Sequence, residues 1–465
     1  MPRKYVIHTK PVSDRFKRVT KSGIIAWEEG CLKCAVCVKK RCVYQVYEHR
    51  GLDSRHMVDS IDNECMNCLR CVQGCPKELI HKSINPEYRD LGDDYWSPDI
   101  IARLWYQAET GKIPVSGAGY PGPFSGAGFD AMWTDMSEIV RPTRDGIHGR
   151  EYISTAVDIG KTSSHLTFDA AGKLTEEGSS PINLPLPILM RVPSLGALSD
   201  AIVEGWALAA DRLGTLLALP GKSVSPEWTK LRHSLVPVLS SEPIDLESGN
   251  QGVRVVEVPW TEDWEKRWEM VQSAYPFSMI SFRLPLARGV EDRSLRLARA
   301  GVPVVHLEAG FHGGAQDDER QFIREGIRSV HRALVEDGIR DELTLLASGG
   351  IAMAEHVAKA IICGADAVYI DMPILIALEC RLCRRCSKGL SCPVDMERAP
   401  ATWVAKRVIN LLGAWHNQLL EVMGAMGIRD ARRLRGEVGR AMFFEELDQL
   451  TFGSMGELRE GWELE

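Results

Sequence analysis

Twelve of the thirteen cysteines in this 465-residue chain lie in three short clusters. Two clusters are near the N-terminus, with the spacings Cys31-x2-Cys34-x2-Cys37-x4-Cys42 and Cys65-x2-Cys68-x2-Cys71-x3-Cys75-Pro76. Three thiolates spaced by two residues suit one face of an iron–sulfur cluster, and the fourth cysteine of such a run typically binds the other cluster. We therefore predict two 4Fe-4S clusters in this region.

This interleaving assigns four cysteines to each cluster. One set is Cys31, Cys34, Cys37 and Cys75, and the other is Cys42, Cys65, Cys68 and Cys71. Two zinc sites are the alternative, because zinc also takes four thiolates, but zinc sites usually consist of separate Cys-x2-Cys pairs. Region 1–92 resembles the two-cluster ferredoxins, and we predict that it is a ferredoxin-like 2[4Fe-4S] module.

A third group of cysteines comes late in the chain, soon after an apolar run. It consists of Cys380, Cys383, Cys386 and Cys392, the last followed by a proline. Four thiols within thirteen residues are difficult to explain as core filling. We therefore predict a third iron–sulfur site here.

Two glycine-containing turns just before these cysteines are candidates for anion binding. Ser348-Gly349-Gly350 follows one apolar run, and Gly364-Ala365 precedes the next. Glycines between a strand and a helix let backbone N–H groups converge on an anion, and paired turns of this kind hold phosphate in many barrels. We predict that both turns bind a cofactor phosphate. For the first turn, an ordinary connection between strand and helix is the alternative.

Eight apolar runs recur from residue 188 onward, and several are rich in Val and Ile, as parallel strands buried on both faces should be. They are 188–190, 215–219, 236–239, 253–258, 279–284, 302–307, 343–347 and 367–370. Helical spacing of apolar residues is clearest at 201–213 and 317–336. The pattern predicts an α/β fold, a TIM-type (β/α)8 barrel over 166–400, with a doubly wound sheet as the alternative. A connector, 93–165, precedes it, and a helical tail, 401–465, follows.

The strand ends supply the remaining candidate site residues, because such barrels carry their chemistry at the C-terminal ends of the strands. Arg283 and His312 are the predicted catalytic residues, since both could meet an anionic substrate. A simple loop position is the alternative for His312. Together with Arg283 and the two turns, the predicted cofactor-binding residues are Ser194, Gly196, Ala197, Gly313 and Gly314.

The connector contains an unusual charged segment, residues 141–152, with three arginines, one histidine and two acidic residues. An anion site is one interpretation. We favour a structural ion-pair network, because ion pairs are common in interfaces.

Composition excludes several classes of protein. The net charge is −7 and the pI about 6.0, so there is no basic surface for nucleic acid. The polar N-terminus does not look like a signal peptide, and no apolar run reaches the ~20 residues of a membrane span. Clustered rather than dispersed cysteines favour metal-bound thiolates, so we predict a cytoplasmic protein.

Together these motifs resemble the FMN-binding synthase domain of the glutamate synthase family, in the compact form with an N-terminal ferredoxin module. The resembling segments are 112–119, 141–153, 195–199, 348–351, 364–368 and 376–394. The resemblance implies FMN in the barrel mouth, with its phosphate on the last two turns and an iron–sulfur cluster beside it. The family's Cys-x5-Cys-x4-Cys run is altered here and gains Cys383, so the third cluster is either 3Fe-4S or 4Fe-4S.

The resemblance also implies an activity. Electrons would pass from the clusters to FMN for the reductive amination of 2-oxoglutarate to glutamate. Arg283 stands where the family has a lysine, and Ser348 where it has an aspartate. The alternative is an FMN and iron–sulfur electron-transfer subunit with no glutamate-forming activity of its own. Implied partners are ferredoxin or a flavin reductase as electron donor, and other redox or glutaminase subunits in a hetero-oligomer.

Overall fold

The computed structural model describes most of the chain. The described residues are 5–16, 18–26, 30–44, 46, 65, 68–113, 126–134, 153–161, 168–173, 181–195, 198–225, 227–240, 252–318, 320–447 and 449–450. The chain divides into two compact units. One is Ser13–Ala102 with Arg381–Arg384, and the other is Met1–Val12, Arg103–Cys380 and Arg385–Glu465.

The smaller unit contains one antiparallel strand pair and short helices. Strand β1 (Ser22–Ala26) pairs with β2 (Ile80–Ile84). The helices are α1 (Arg70–Gln73), α2 (Pro86–Arg89) and the start of α3 (Pro98–Thr110), and a π-helical turn spans Val36–Arg41. Helix α2 begins after Asn85, whose side chain accepts a hydrogen bond from the Glu87 amide at 3.0 Å. This is a normal N-cap, with proline in the first turn.

The larger unit is built on a closed barrel of eight parallel strands. The strands run in chain order and β13 pairs with β6. They are β6 (Ile188–Arg191), β7 (Leu217–Pro220), β8 (Leu235–Val238), β9 (Val255–Pro259), β10 (Met279–Pro285), β11 (Val304–Glu308), β12 (Thr344–Ser348) and β13 (Ala367–Ile370). Each predicted apolar run overlaps one of these strands, so the predicted barrel is confirmed.

Helices follow most of the strands. They are α4 (Asp200–Leu213), α5 (Trp264–Ala274), α6 (Val290–Arg299), α7 (Ile323–Glu336), α8 (Ala354–Cys363) and α9 (Met372–Ile376). Helix α4 ends at Gly214, whose φ of 67° allows its amide to bond back to the Ala210 carbonyl. Helix α7 starts later than the predicted 317, because the residues before Ile323 belong to the loop after β11.

Shorter elements flank the barrel in sequence. Three small strands precede it, namely β3 (Met132–Thr134), β4 (Val157–Ile159) and β5 (Ile182–Leu184), and β4 pairs with β5. Single 3-10 turns occur at Gly128–Ala131, Gly221–Ser223, Arg232–Ser234, Arg340–Glu342, Cys386–Lys388, Met396–Arg398, Ala431–Leu434 and Val438–Arg440.

The C-terminal region corrects one prediction. It starts with the 25-residue helix α10 (Ala401–Ala425), which packs so closely on α4 that a Cβ atom at Gly205 would lie 2.6 Å from the Cβ of Val404. The tail is not helical throughout, because strand β14 (Ala441–Phe443) pairs antiparallel with β3. Among the described helices, none combines the length and apolar character needed to cross a membrane.

Candidate active site in the barrel

Six polar side chains gather at the end of the barrel where the parallel strands finish. Strand register explains this, since Arg283 is aligned with His306 and Glu308 with Ser348. Residues two apart on a strand point to the same face, so His306 and Glu308 share one side of β11. This end of the barrel carries the chemistry in such folds. The six residues are Arg191, Glu257, Arg283, His306, Glu308 and Ser348.

Three of these residues form a buried row of hydrogen bonds. Nδ1 of His306 lies 2.7 Å from Oε2 of Glu257, and Nε2 lies 2.8 Å from Oγ of Ser348. Burial by itself raises the pKa of Glu257, but His306, Arg283 and Arg191 outweigh this and lower the pKa to about 2. The ionised Glu257 therefore accepts the Nδ1–H of His306, and Nε2 on the other side of the ring is within hydrogen-bond distance of the Ser348 hydroxyl.

The other three residues form a more exposed ion-pair group. The Glu308 carboxylate contacts Nη1 of Arg191 closely, and it lies 3.4 Å from Nε and 3.5 Å from Nη1 of Arg283. Nε of Arg283 also lies 3.7 Å from Oε1 of the buried Glu257. All these Arg283 contacts are longer than the ~2.9 Å of a strong charged hydrogen bond. Among the described residues, Arg283 therefore makes only these long contacts, and most of its N–H donors form no strong hydrogen bond.

Two more polar groups lie in and directly after β13, the buried Tyr369 and the half-buried Asp371. The ring of Tyr369 lies 4.6 Å from that of His306, and burial raises the pKa of the Tyr369 hydroxyl. Asp371 accepts a hydrogen bond from the Met372 amide at 2.6 Å, and burial raises its pKa as well. Within the described residues, the Tyr369 hydroxyl has no hydrogen-bond partner. Buried hydroxyl groups normally form hydrogen bonds, so the Tyr369 hydroxyl can still bond to a ligand or to water.

The Ser348-Gly349-Gly350 turn is held by tight packing against the loop after β11. Gly349 and Gly350 have φ values of 95° and 68°, which only glycine adopts readily. A Cβ atom at Gly349 would lie 2.7 Å from the Gly310 carbonyl oxygen, and one at Gly350 would lie 2.9 Å from the Phe322 ring. The predicted glycine turn is therefore present, and both of its glycines are buried with positive φ.

Comparison with known proteins shows which family the barrel is similar to. Residues 217–429 match the family described as the conserved region in glutamate synthase. The chain is 26% identical to an archaeal-type NADPH glutamate synthase of Dehalococcoides mccartyi, over 92% of this chain and 97% of that protein. It is 25% identical to an archaeal NADPH glutamate synthase of Archaeoglobus fulgidus, over 92% of this chain and 96% of that protein.

The second predicted phosphate turn lies away from the first in the barrel. Gly364 and Ala365 precede β13 and end helix α8, so they lie at the opposite end of the barrel from Gly349. Their amides donate to the Ile361 and Ala360 carbonyls at 2.9 and 3.1 Å. Their role is to cap α8, and the prediction that they bind phosphate is not supported.

The other predicted residues have mixed placements. Arg283 is in the polar layer, whereas His312 is exposed in the loop after β11, with its ring 4.8 Å from that of Phe311. Gly313 and Gly314 lie in the same loop, and Gly314 accepts a hydrogen bond from the Gly310 amide at 2.8 Å. Ser194 is exposed after β6. Gly196, Ala197 and the charged segment 141–152 lie outside the described residues.

Sequence reasoning missed most of the polar layer of the barrel. Glu257, His306, Glu308 and Arg191 were counted only as members or neighbours of apolar runs. A signal was present, because a charged residue inside a run buried on both faces is rare unless it is paired. The strand sequences Val-Val-Glu-Val-Pro and Val-Val-His-Leu-Glu carry that signal in β9 and β11.

The cysteines make no disulfide, and within the described residues no group of three or more Cys, His, Asp or Glu side chains is arranged to hold a metal ion. Five N-terminal cysteines nevertheless share one small core around Val46 and Ile80, namely Cys37, Cys42, Cys65, Cys71 and Cys75. The three motifs also repeat one backbone feature, a left-handed residue directly after the second cysteine. These residues are Ala35, Leu69 and Arg384, with φ values of 54°, 57° and 52°.

Proposed function

We propose that this chain is an iron–sulfur flavoprotein oxidoreductase that forms glutamate by reductive amination of 2-oxoglutarate. The observation that carries the proposal is the position of Arg283 in the polar layer of a barrel similar to the glutamate synthase family. A guanidinium group with unused donors suits a substrate carboxylate. The nearly full-length similarity to proteins named as glutamate synthases supports the same activity.

FMN is the proposed cofactor of the barrel. The turn Ser348–Gly350 would hold its phosphate, because glycines that follow a barrel strand let the backbone approach an anion closely. When bound, FMN supplies the hydride that reduces the carbon–nitrogen double bond. The family resemblance includes this turn, so the fit rests on residues of the chain as well as on similarity.

The residues of the chain have separate roles in this proposal. 2-Oxoglutarate, ammonium, two electrons and two protons give glutamate and water, so the site must bind an anion and supply protons. Arg283 binds and orients the substrate carboxylate. The Glu257–His306–Ser348 row borders the site and is the proposed route by which a proton reaches bound substrate.

Twelve cysteines would hold three clusters that carry electrons to the barrel. The repeated left-handed residue after the second cysteine supports this, because loops of that conformation point N–H groups at cluster sulfurs. Ferredoxin or a flavin reductase would donate the electrons, and a glutaminase subunit would supply ammonia within a hetero-oligomer. Since thiolate-bound clusters suit a reducing compartment, we propose a cytoplasmic location.

A second candidate is an electron-transfer subunit that makes no glutamate. The observation that favours it is Glu308, whose carboxylate already contacts both Arg191 and Arg283. In this reading the ion pair is permanent and no substrate carboxylate enters.

Two measurements separate these candidates. Iron and flavin content of anaerobically purified protein should give FMN near one per chain and iron for three clusters. The reduced protein should then be oxidised by 2-oxoglutarate with ammonium and should release glutamate.

Arg283→Gln should lower kcat/KM about 30-fold or more, since a lost charged hydrogen bond costs about 2 kcal/mol. Glu336→Gln, an exposed carboxylate at the end of α7, is the matched control. If 2-oxoglutarate and ammonium leave the spectrum of the reduced protein unchanged, the electron-transfer role is the remaining candidate.

A further inference from the structure

We propose that Glu308 is a resident carboxylate, which holds the place between Arg191 and Arg283 that the carboxylate of a small anionic ligand takes when it binds. The inference deepens the proposed function and rests on it for the ligand class, a short dicarboxylate. It differs from a permanent ion pair because Glu308 must leave at least one arginine when the ligand enters.

The first argument is position. Glu308 is the last residue of β11, and Arg191 is the last residue of β6. Both therefore lie at the barrel end where ligands of this fold bind. The Glu308 side chain is 25% exposed, more than the 18% of Arg191 or the 17% of Arg283. The carboxylate is thus the most accessible member of the group and can move toward solvent.

The second argument is the uneven quality of the two ion pairs. Glu308 contacts Arg191 closely, but its distances to Arg283 are 3.4 and 3.5 Å. A guanidinium group binds a carboxylate best through two short parallel hydrogen bonds. Glu308 is joined to the backbone of β11 and does not reach that geometry at Arg283. A free ligand has no such restriction, so it can make the better pair.

The third argument is that the arginines keep other counter-charges if Glu308 moves. Glu257 lies 3.7 Å from Nε of Arg283, is fully buried and stays fixed by His306. Glu257 and Asp371 also act electrostatically on Arg191. Breaking a buried ion pair is costly when it leaves a charge without a partner. Glu257 and Asp371 reduce that cost, so exchange of Glu308 for a ligand is feasible.

Binding of unreactive carboxylates to the purified full-length protein tests the inference without requiring turnover. Isothermal titration calorimetry with glutarate should show weak binding to the wild type and none with the neutral diamide glutaramide. Glu308→Gln removes the internal competitor and should tighten glutarate binding about tenfold or more. Glu336→Gln is the control and should bind like the wild type. Equal or weaker binding by Glu308→Gln than by the wild type would overturn the inference, as would absence of binding to both.

A second variant covers the case in which Glu308→Gln fails to fold. Arg283→Gln should reduce glutarate affinity about tenfold or more, and unchanged affinity would also overturn the inference. The result is separate from that of the activity assay. If glutarate binding follows these expectations but 2-oxoglutarate is not aminated, the carboxylate site stands and the glutamate-forming function fails.

Discussion

The imidazole of His306 lies between the carboxylate of Glu257 and the hydroxyl of Ser348, at 2.7 and 2.8 Å, and the His306 and Glu257 side chains are fully buried. This relationship joins β9, β11 and β12 inside the barrel. A buried carboxylate with one hydrogen-bonding partner depends strongly on that partner. The row is therefore a point at which the stability of the barrel and the geometry of the Ser348–Gly350 turn are coupled.

Replacing His306 by leucine should destabilise the protein by about 3–5 kcal/mol, because the Glu257 carboxylate is left buried without its donor. The measurement is the thermal unfolding midpoint of the purified protein. The double variant Glu257→Leu with His306→Leu removes both polar groups and should recover much of the loss. Losses that simply add in the double variant would contradict the coupling.

Acid should destabilise the protein over a defined pH range because of two histidines. Burial lowers the pKa of His416 to about 4, and burial together with Arg340 lowers the pKa of His331 to about 4. Below the unfolded value of about 6.5 the unfolded chain binds more protons than the folded one. Stability is therefore complete above pH 6.5 and declines as pH falls toward 4.

Glu257 extends the acid sensitivity to lower pH. Its folded pKa of about 2 lies below the ordinary 4.5, so its contribution is lost as pH falls from 4.5 toward 2.

Thermal unfolding midpoints measured between pH 7 and pH 4 separate the contribution of the two histidines from that of Glu257. His416→Phe keeps a ring against Tyr5, which lies 5.4 Å away, and should flatten the decline. The exposed His8→Asn is the control, and an equal slope in all three proteins would refute this account.

Phe322 should be the packing residue on which three glycine loops depend. A Cβ atom at Gly128, Gly313 or Gly350 would come within 2.1–2.9 Å of its ring. Phe322→Ala should destabilise the protein by about 1–3 kcal/mol, because the half-buried ring leaves a partly open cavity. Gly313→Ala clashes with this ring and also carries the strain of φ 86°.

The combined variant Gly313→Ala with Phe322→Ala tests this arrangement. The added methyl group should partly fill the cavity, so the combined loss in thermal unfolding should be smaller than the sum of the single losses. The remaining loss from Gly313→Ala should be near the ~1 kcal/mol of a left-handed non-glycine residue. Strict additivity would show that the loops do not share Phe322 as their support.

Cys383 should decide the type of the third cluster. If Cys383 is a ligand of a 4Fe-4S cluster, Cys383→Ser should lower iron content and change the electron paramagnetic resonance spectrum of the reduced protein. Cys363 is the matched control, because it is 2% exposed and burial raises its pKa to about 12, which disfavours a metal-binding thiolate. Unchanged iron content and an unchanged spectrum in Cys383→Ser would indicate that Cys380, Cys386 and Cys392 hold the proposed cluster without Cys383.

The barrel was predictable from sequence because most of its strands are apolar runs, and Leu217–Pro220 and Ala367–Ile370 show this clearly. The polar layer was not, since its contacts join distant positions. His306 and Glu257 are 49 residues apart, and no local pattern pairs them. Gly364 misled the interpretation for another reason. A glycine after a helix and a glycine in an anion-binding turn both need positive φ, so only its place in the barrel distinguishes them.

The pairing of β14 with β3 has a consequence for how the chain folds during synthesis. Phe443 pairs with Met132, so the two strands flank the entire barrel in sequence. A ribosome releases β3 long before its partner exists, and helix α10, which packs on α4, also emerges after every barrel strand. Contacts between such distant segments form slowly. Barrel strands made early must therefore wait, with apolar surface uncovered, until α10 and β14 have been synthesised.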